Sequence, residues 1–196
     1  SFIDEDALMI VESTIPPGTC EKKIIPLIKK VFKKRKFNAK KLSLAYTYER
    51  VMPGSNYLNS IKNYWRVLSG ADQTSISKCK NFLNKIINTK KYPLTILDNI
   101  RDCELGKILE NSYRSTNIAF IEEWSRFAEE INVDIYKVIE SIRLRPTHSN
   151  LRHPGFGVGG YCLTKDPLFR EYAAKNLWKI KNPKFLFSKQ AMEINH

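Results

Sequence analysis

Ala7 to Val11 is an unbroken apolar run, and Ser13, Thr14 and then Pro16-Pro17-Gly18 close it in a turn, the pattern of a short buried strand. From about Glu21 to Lys33 apolar residues alternate with lysines at helical spacing, which predicts an amphipathic helix. Leu42 to Ala45 reads as a second strand, Arg66 to Leu68 as a candidate short one, and Leu94 to Leu97 as a third. Between the last two, Ile76, Cys79, Phe82, Leu83 and Ile86 fall on one helical face. Strands alternating with helices predict a layered α/β unit with a largely parallel sheet. A doubly wound dinucleotide domain opens with strand, Gly-rich turn and helix, and nothing before Ala7 supplies them.

From Asp102, read as an N-cap, the pattern turns helical for about 30 residues, with Leu105, Ile108, Leu109, Ser112, Tyr113, Phe120, Trp124, Phe127 and Ile131 on its apolar face. One small domain cannot cover so long an apolar face, so the helix is expected to span a domain junction or supply a dimer interface. A helix over Asp134 to Ile142, a loop rich in Gly, Pro, His and Arg over Arg143 to Tyr161, and helices over Pro167 to Lys175 and Pro183 to Ile194 complete the chain. The division this predicts is an α/β portion over residues 1–100 and an all-α portion over 101–196.

Composition narrows the function classes. No apolar run approaches the roughly 20 residues of a membrane helix, and the start SFIDEDALMIVEST lacks the basic flank of a secretory signal. Neither membrane nor export is expected. Four scattered cysteines without a CxxC pair read as reduced thiols of a cytoplasmic protein. A net charge of +13 raises nucleic-acid binding as a rival function, but the lysines of KKIIPLIKKVFKKRK lie as on the wet side of a helix, and no nucleic-acid motif accompanies them. Three histidines without a ligand cluster predict no metal site.

The most informative stretch is Pro154-Gly155-Phe156-Gly157-Val158-Gly159-Gly160-Tyr161-Cys162. Gly155, Gly157 and Gly160 formally satisfy GxGxxG, but a proline and a basic loop precede them where a dinucleotide fingerprint needs a strand. Glycines let a backbone wrap closely around a ligand, and here they lead to a thiol. Cys20, Cys79 and Cys103 read instead as small buried hydrophobes.

At the residues Gly155 to Pro167, GFGVGGYCLTKDP, the chain resembles the nucleotide-sugar 6-dehydrogenases of the UDP-glucose/GDP-mannose dehydrogenase family, whose cysteine motif is a glycine run, Cys, then Asp four residues later. Three further segments fall in the family's order: Val11 to Thr19 (VESTIPPGT), Tyr48 to Gly54 (YERVMPG) and Glu104 to Phe120 (ELGKILENSYRSTNIAF). The forms ERVMPG and ENSYRSTNIAF are similar to those of UDP-N-acetylhexosamine dehydrogenases, while Tyr48 stands where the family pattern has proline.

The resemblance implies the C-terminal part of a Rossmann-like NAD-binding domain (1–100) followed by an all-α central dimerisation domain with one long helix (101–196). It implies NAD as cofactor, a UDP-sugar as substrate, and oxidation of a primary alcohol to the acid through an aldehyde. Cys162 would trap that aldehyde covalently, which explains a nucleophilic thiol at this place. Lys107 and Asn111, at i and i+4 on one helix face, would stabilise the oxyanion. Asp166 and Glu49 would position or deprotonate water, with Thr14 as a hydrogen-bond partner. Thr14, Glu49 and Lys165 carry over toward the cofactor, and Glu49, Arg50, Lys107, Asn111, Arg152, His153, Gly155 and Gly159 toward the substrate. Arg143, Arg145, His148, Arg152 and His153 flank the glycine loop, and arginine's planar fork suits phosphate oxygens. With no opening phosphate turn and no third domain, the 196 residues alone are expected to be inactive. A structural or dimerising piece without catalysis is the alternative.

Overall fold

The computed structural model describes residues 3–51 and 54–195, so Met52 and Pro53 of the ERVMPG segment lie outside the described residues. The chain forms two compact units, Ser1–Lys107 with Ala173–Lys179, and Ile108–Tyr172 with Ile180–His196.

The first unit is built on a sheet of order β1-β2-β3-β4, with β1 at Leu8–Val11, β2 at Ser43–Tyr48, β3 at Val67–Gly70 and β4 at Thr95–Ile96. β1 pairs parallel with β2, Leu8 opposite Ser43 and Val11 opposite Tyr46; β3 pairs parallel with β4. β3 runs antiparallel to β2, so one of the three pairings departs from the parallel pattern. Among the described residues between these two strands the one helix is the short α2 (Tyr57–Lys62), too short to serve as the crossover helix of a parallel connection.

β2 extends beyond the expected Leu42 to Ala45 because its polar-looking end is satisfied: Tyr46 Oη donates to Ser13 O at 3.2 Å and Thr47 Oγ1 to Val67 O at 2.8 Å. Every β2 residue is buried, and its alternation divides the core. Leu44, Tyr46 and Tyr48 pack with Cys20, Phe32, Ile100 and Cys103. Ala45 packs with Leu68, Ile76, Cys79 and Leu83.

The helix expected over Glu21 to Lys33 begins as a π turn, Cys20–Ile24, and continues as α1, Ile25–Lys34. Pro26 has no N–H to return to the preceding turn, and the wider turn ahead of it accommodates the gap. α3 spans Gln73–Ile86, its N-cap Asp72 accepting from Ser75 N at 2.7 Å. The long helix α4 runs Ile100–Glu130. It starts before the expected Asp102, whose carboxylate sits in the first turn and accepts from Asn99 N at 3.2 Å, half of a capping box.

The regular elements of the second unit, among its described residues, are all helical: α4 from Ile108, α5 at Ile135–Arg143, α6 at Phe169–Tyr172 and α7 at Leu186–Ile194, with 3-10 turns and the long glycine-bearing loop between them. Asp134 caps α5 through Tyr136 N at 3.1 Å. The helix expected over Pro167 to Lys175 is broken into a 3-10 turn, Asp166–Leu168, then α6, then a π turn, Ala173–Leu177. Pro167 in the first turn and Ala173-Ala174 buried in the last set these breaks. α7 starts at Leu186, three residues after the expected Pro183. Leu109, Tyr113, Phe120, Trp124 and Phe127 of α4 are exposed, while Ile108 alone of the expected apolar face is fully buried. No helix among the described residues is long and apolar enough to cross a membrane.

Candidate active site

In the first unit, Thr14 and Glu49 follow the carboxyl ends of β1 and β2. These strands are adjacent and parallel, so both residues lie at one edge of the sheet, where doubly wound folds place their nucleotides. Lys107, on α4, is 7 % exposed. Its Nζ donates to Glu49 O at 2.8 Å and stands 3.6 Å from Glu49 Oε1. Glu49 bends back to accept from Val51 N. Arg50 donates to Trp65 O at 3.1 Å and its guanidinium lies 5.4 Å from the Tyr48 ring centroid.

The turn carrying Thr14 into α1 is clasped by residues that sequence reasoning missed. Glu104 is fully buried, its carboxylate accepting from Gly18 N and, at 2.8 Å, from Cys20 N. Burial raises its pKa, while hydrogen bonds from Cys20 and Gly18 oppose the rise. From the other side Trp178 Nε1 donates to Pro17 O at 2.8 Å, with Lys22 Nζ 4.7 Å from its ring centroid. Gly18 has φ +95°, and a Cβ there would stand 2.7 Å from Trp178 Nε1. The only sequence signal for this clasp was Glu104 itself, the first residue of the ELGKILENSYRSTNIAF segment.

In the second unit Asp166 is fully buried and both its oxygens are engaged. Asn111 Nδ2 donates to Oδ2 at 2.7 Å and Lys165 Nζ to Oδ1 at 2.6 Å. The Lys165 ammonium also lies 4.4 Å from the Tyr161 ring centroid and 4.8 Å from that of Phe169. Cys162 opens the turn that leads to Asp166, its carbonyl accepting from Asp166 N at 3.0 Å. Its side chain is exposed, unlike Cys20, Cys79 and Cys103. Burial pushes the Cys79 thiol up to about 11 and the Cys103 thiol to about 12, and raises Cys20 too, with Glu104 adding to the rise at Cys20 and Cys103. Those three are protonated and inert near neutral pH.

Gly157 (φ +84°) and Gly160 (φ +90°) give the loop its left-handed turns, and nothing stands within 4 Å of a Cβ placed on Gly155 or Gly159. The loop is tied to α5: Arg143 Nε donates to Leu151 O at 2.8 Å, and His153 Nε2 lies 2.7 Å from Glu140 Oε1. Arg143 and His153 are thereby occupied with Glu140, while Arg145, Arg152 and His148 are exposed. Two cavities flank the loop, of about 360 Å³ beside Gly157, Val158 and Gly159, and about 510 Å³ beside Pro154, Gly155 and Phe156. Among the described residues no three His, Cys, Asp or Glu gather as a metal site.

Residues 1–87 match the model of the NAD binding domain of the UDP-glucose/GDP-mannose dehydrogenase family, and residues 101–196 match that of its central domain. The chain belongs to this family. It is 35% identical over 185 residues to a UDP-N-acetyl-D-mannosamine dehydrogenase of Methanocaldococcus jannaschii, covering 94% of this chain and 40% of that one. With the enzyme of that name from Escherichia coli it shares 30% identity over 171 residues, covering 85% and 39% of the two chains. The structure of the UDP-D-ManNAc dehydrogenase of Pyrococcus horikoshii superposes with a TM-score of 0.82 at 29% identity, covering 98% of this chain and 42% of that one. The chain thus spans about 40% of the length of these relatives.

Proposed function

We propose that these residues belong to an NAD-dependent dehydrogenase that oxidises the primary alcohol of a UDP-N-acetylhexosamine to the uronic acid, with Cys162 as nucleophile, for surface polysaccharide precursors. The observation that carries this reading is that the thiol following the glycine loop is the exposed one of four, in a chain of the dehydrogenase family. The names of the relatives support the N-acetylhexosamine substrate.

The alcohol loses a hydride and a proton to become an aldehyde. The Cys162 thiolate adds to its carbonyl carbon, giving a thiohemiacetal whose alkoxide takes up a proton. Loss of a second hydride and of that hydroxyl proton gives a thioester, which water cleaves to the carboxylate and the free thiolate. NAD, when bound, accepts the hydrides, one per molecule. Thr14 and Glu49 fit that cofactor because they share the carboxyl edge of two parallel strands. Lys107 and Asn111 supply donors to the oxyanion. Asp166, fully buried with both oxygens taken, orients Asn111 and Lys165, and Glu49, whose side chain keeps contact with solvent, is assigned the activation of water. The domain division that goes with this reading is an NAD-binding portion over 1–100 and a central portion over 101–196, in a cytoplasmic protein. The exposed apolar side chains of α4 support a homodimer formed through that helix.

Iodoacetamide labelling read by peptide mass spectrometry tests the site: Cys162 alone should react in the native protein, and a UDP-sugar should slow it. Labelling at an equal rate in all four thiols overturns the assignment. In a polypeptide of the relatives' length, Cys162→Ser should lower acid formation at least about 1000-fold. These 196 residues alone should give no NADH with NAD and UDP-sugars; robust turnover sinks that expectation. Light scattering should find a dimer that Trp124→Arg dissociates, and a strict monomer at high concentration removes the interface.

A further inference from the structure

Tyr48 stands where the family pattern has proline, and an isolated glycine, Gly106, sits inside α4. Each is locally unfavourable or unexpected alone. Glycine in a helix interior costs stability against alanine, so its presence there calls for a packing reason. The fold brings the two together. A Cβ on Gly106 would stand 3.2 Å from the Tyr48 hydroxyl oxygen and 3.5 Å from its Cε1. Tyr48 is 4 % exposed at the end of β2, and the Lys107 ammonium, on the residue after that glycine, lies 5.7 Å from its ring centroid.

Lys107 is itself 7 % exposed, so its charge has lost most of its water. Glu49 O supplies one acceptor at 2.8 Å and Glu49 Oε1 lies at 3.6 Å. The negative face of an aromatic ring within about 6 Å is a further source of attraction for a desolvated ammonium. Proline at position 48 would supply no such face. The Arg50 guanidinium, 5.4 Å from the same centroid, is the other cation near this ring.

We propose that Tyr48 is a positioning residue for Lys107, and that Gly106 is its complement: the ring holds the lysine ammonium in place, and the missing Cβ makes room for the ring. The catalytic significance rests on the reading of Lys107 given above, but the pairing itself does not.

The test is competitive acetylation of the 196-residue chain with acetic anhydride, Lys107 being scored against the exposed Lys80 and Lys85 by peptide mass spectrometry. Native protein and Tyr48→Phe, which keeps the ring, should acetylate Lys107 slowly and alike. Tyr48→Leu and Gly106→Ala should each speed that labelling at least fivefold with the melting transition still cooperative. Adding Tyr48→Phe to Gly106→Ala should restore slow labelling, because the hydroxyl is the nearest atom to the new Cβ. If Tyr48→Leu unfolds the chain, the Gly106→Ala pair decides alone. Unchanged Lys107 labelling in folded Gly106→Ala, or no restoration in the double variant, overturns the proposal. The expected labelling pattern in a protein that binds and oxidises no UDP-sugar would sink the functional reading and leave the Tyr48–Gly106 pairing standing.

Discussion

Two glycine-bearing turns, one in each unit, solve opposite problems. Pro16-Pro17-Gly18 is closed: the Gly18 N–H is held by buried Glu104, the Pro17 carbonyl by Trp178, and the ring leaves no room for a side chain. Gly155 to Gly160 is open, with Phe156 and Tyr161 exposed and empty space at Gly155 and Gly159. A glycine that the protein itself packs against is a structural necessity. A glycine that faces space outside the left-handed region, as Gly155 and Gly159 do, is a necessity only for something that arrives from outside. The difference separates a packed frame beside Thr14 from an open loop leading to the exposed Cys162.

The strongest way to break that contrast is Gly18→Ala. Its φ of +95° strains an L residue, and its Cβ would meet three atoms of the Trp178 ring within 3 Å. Strain and overpacking together should cost about 4 kcal/mol in a urea melt. A loss below 1 kcal/mol would mean that the turn is not locked.

Next comes Glu104→Ala, which leaves the Gly18 and Cys20 N–H groups buried without their carboxylate and should cost about 3 kcal/mol. Glu104 also gives the turn a pH dependence. Its folded pKa is raised, so its titration contributes stability that is fully present below the ordinary carboxylate value of 4.5 and is lost as pH rises through the raised value. The urea midpoint of native protein minus that of Glu104→Ala should therefore decline as pH climbs through that window. A flat difference would remove Glu104 as the titrating group.

Both turns were legible in the sequence, but the clasp that closes the first was not, for a physical reason. Gly155 to Pro167 carries its motif in consecutive residues, and Lys107 and Asn111 lie one helical turn apart within ELGKILENSYRSTNIAF, so the family resemblance was enough to single them out as candidates. The clasp comes from Glu104, 86 positions from Gly18, and Trp178, 161 positions from Pro17, and no local pattern encodes contacts of that separation. For the same reason Asp166 could be named as a site residue, but not that Asn111 and Lys165 would occupy both its oxygens. In the fold, the long helix α4 and the strand β1 were visible as apolar patterns. The end of β2 was not, because Tyr46, Thr47 and Tyr48 read as polar until their surroundings are known. The reversal of β3 was likewise hidden, since strand direction depends on how the chain returns and not on the residues of the strand.

Trp178→Phe sharpens the comparison with a smaller effect. It keeps a ring over Gly18 and removes the indole N–H that Pro17 O accepts, so it should cost about 1 kcal/mol. A loss equal to that of Gly18→Ala would show that the ring's shape, not its hydrogen bond, is what phenylalanine fails to reproduce.

The smallest stability effect is expected on the open side. Gly159→Ala places a methyl in space where no heavy atom stands within 4 Å, at a residue whose backbone is outside the left-handed region. Alanine there removes freedom from the unfolded chain more than it disturbs the folded one, so the urea midpoint should move by no more than about 0.5 kcal/mol, in the stabilising direction if at all. If the loop closes on a UDP-sugar, the same methyl occupies room the ligand needs, and the protection of Cys162 from iodoacetamide by UDP-sugar should weaken about tenfold. Stability held and protection lost is the signature of a glycine kept for a ligand. Stability lost instead would place Gly159 with Gly18, as a residue the protein needs for its own packing, and the contrast between the two turns would fail.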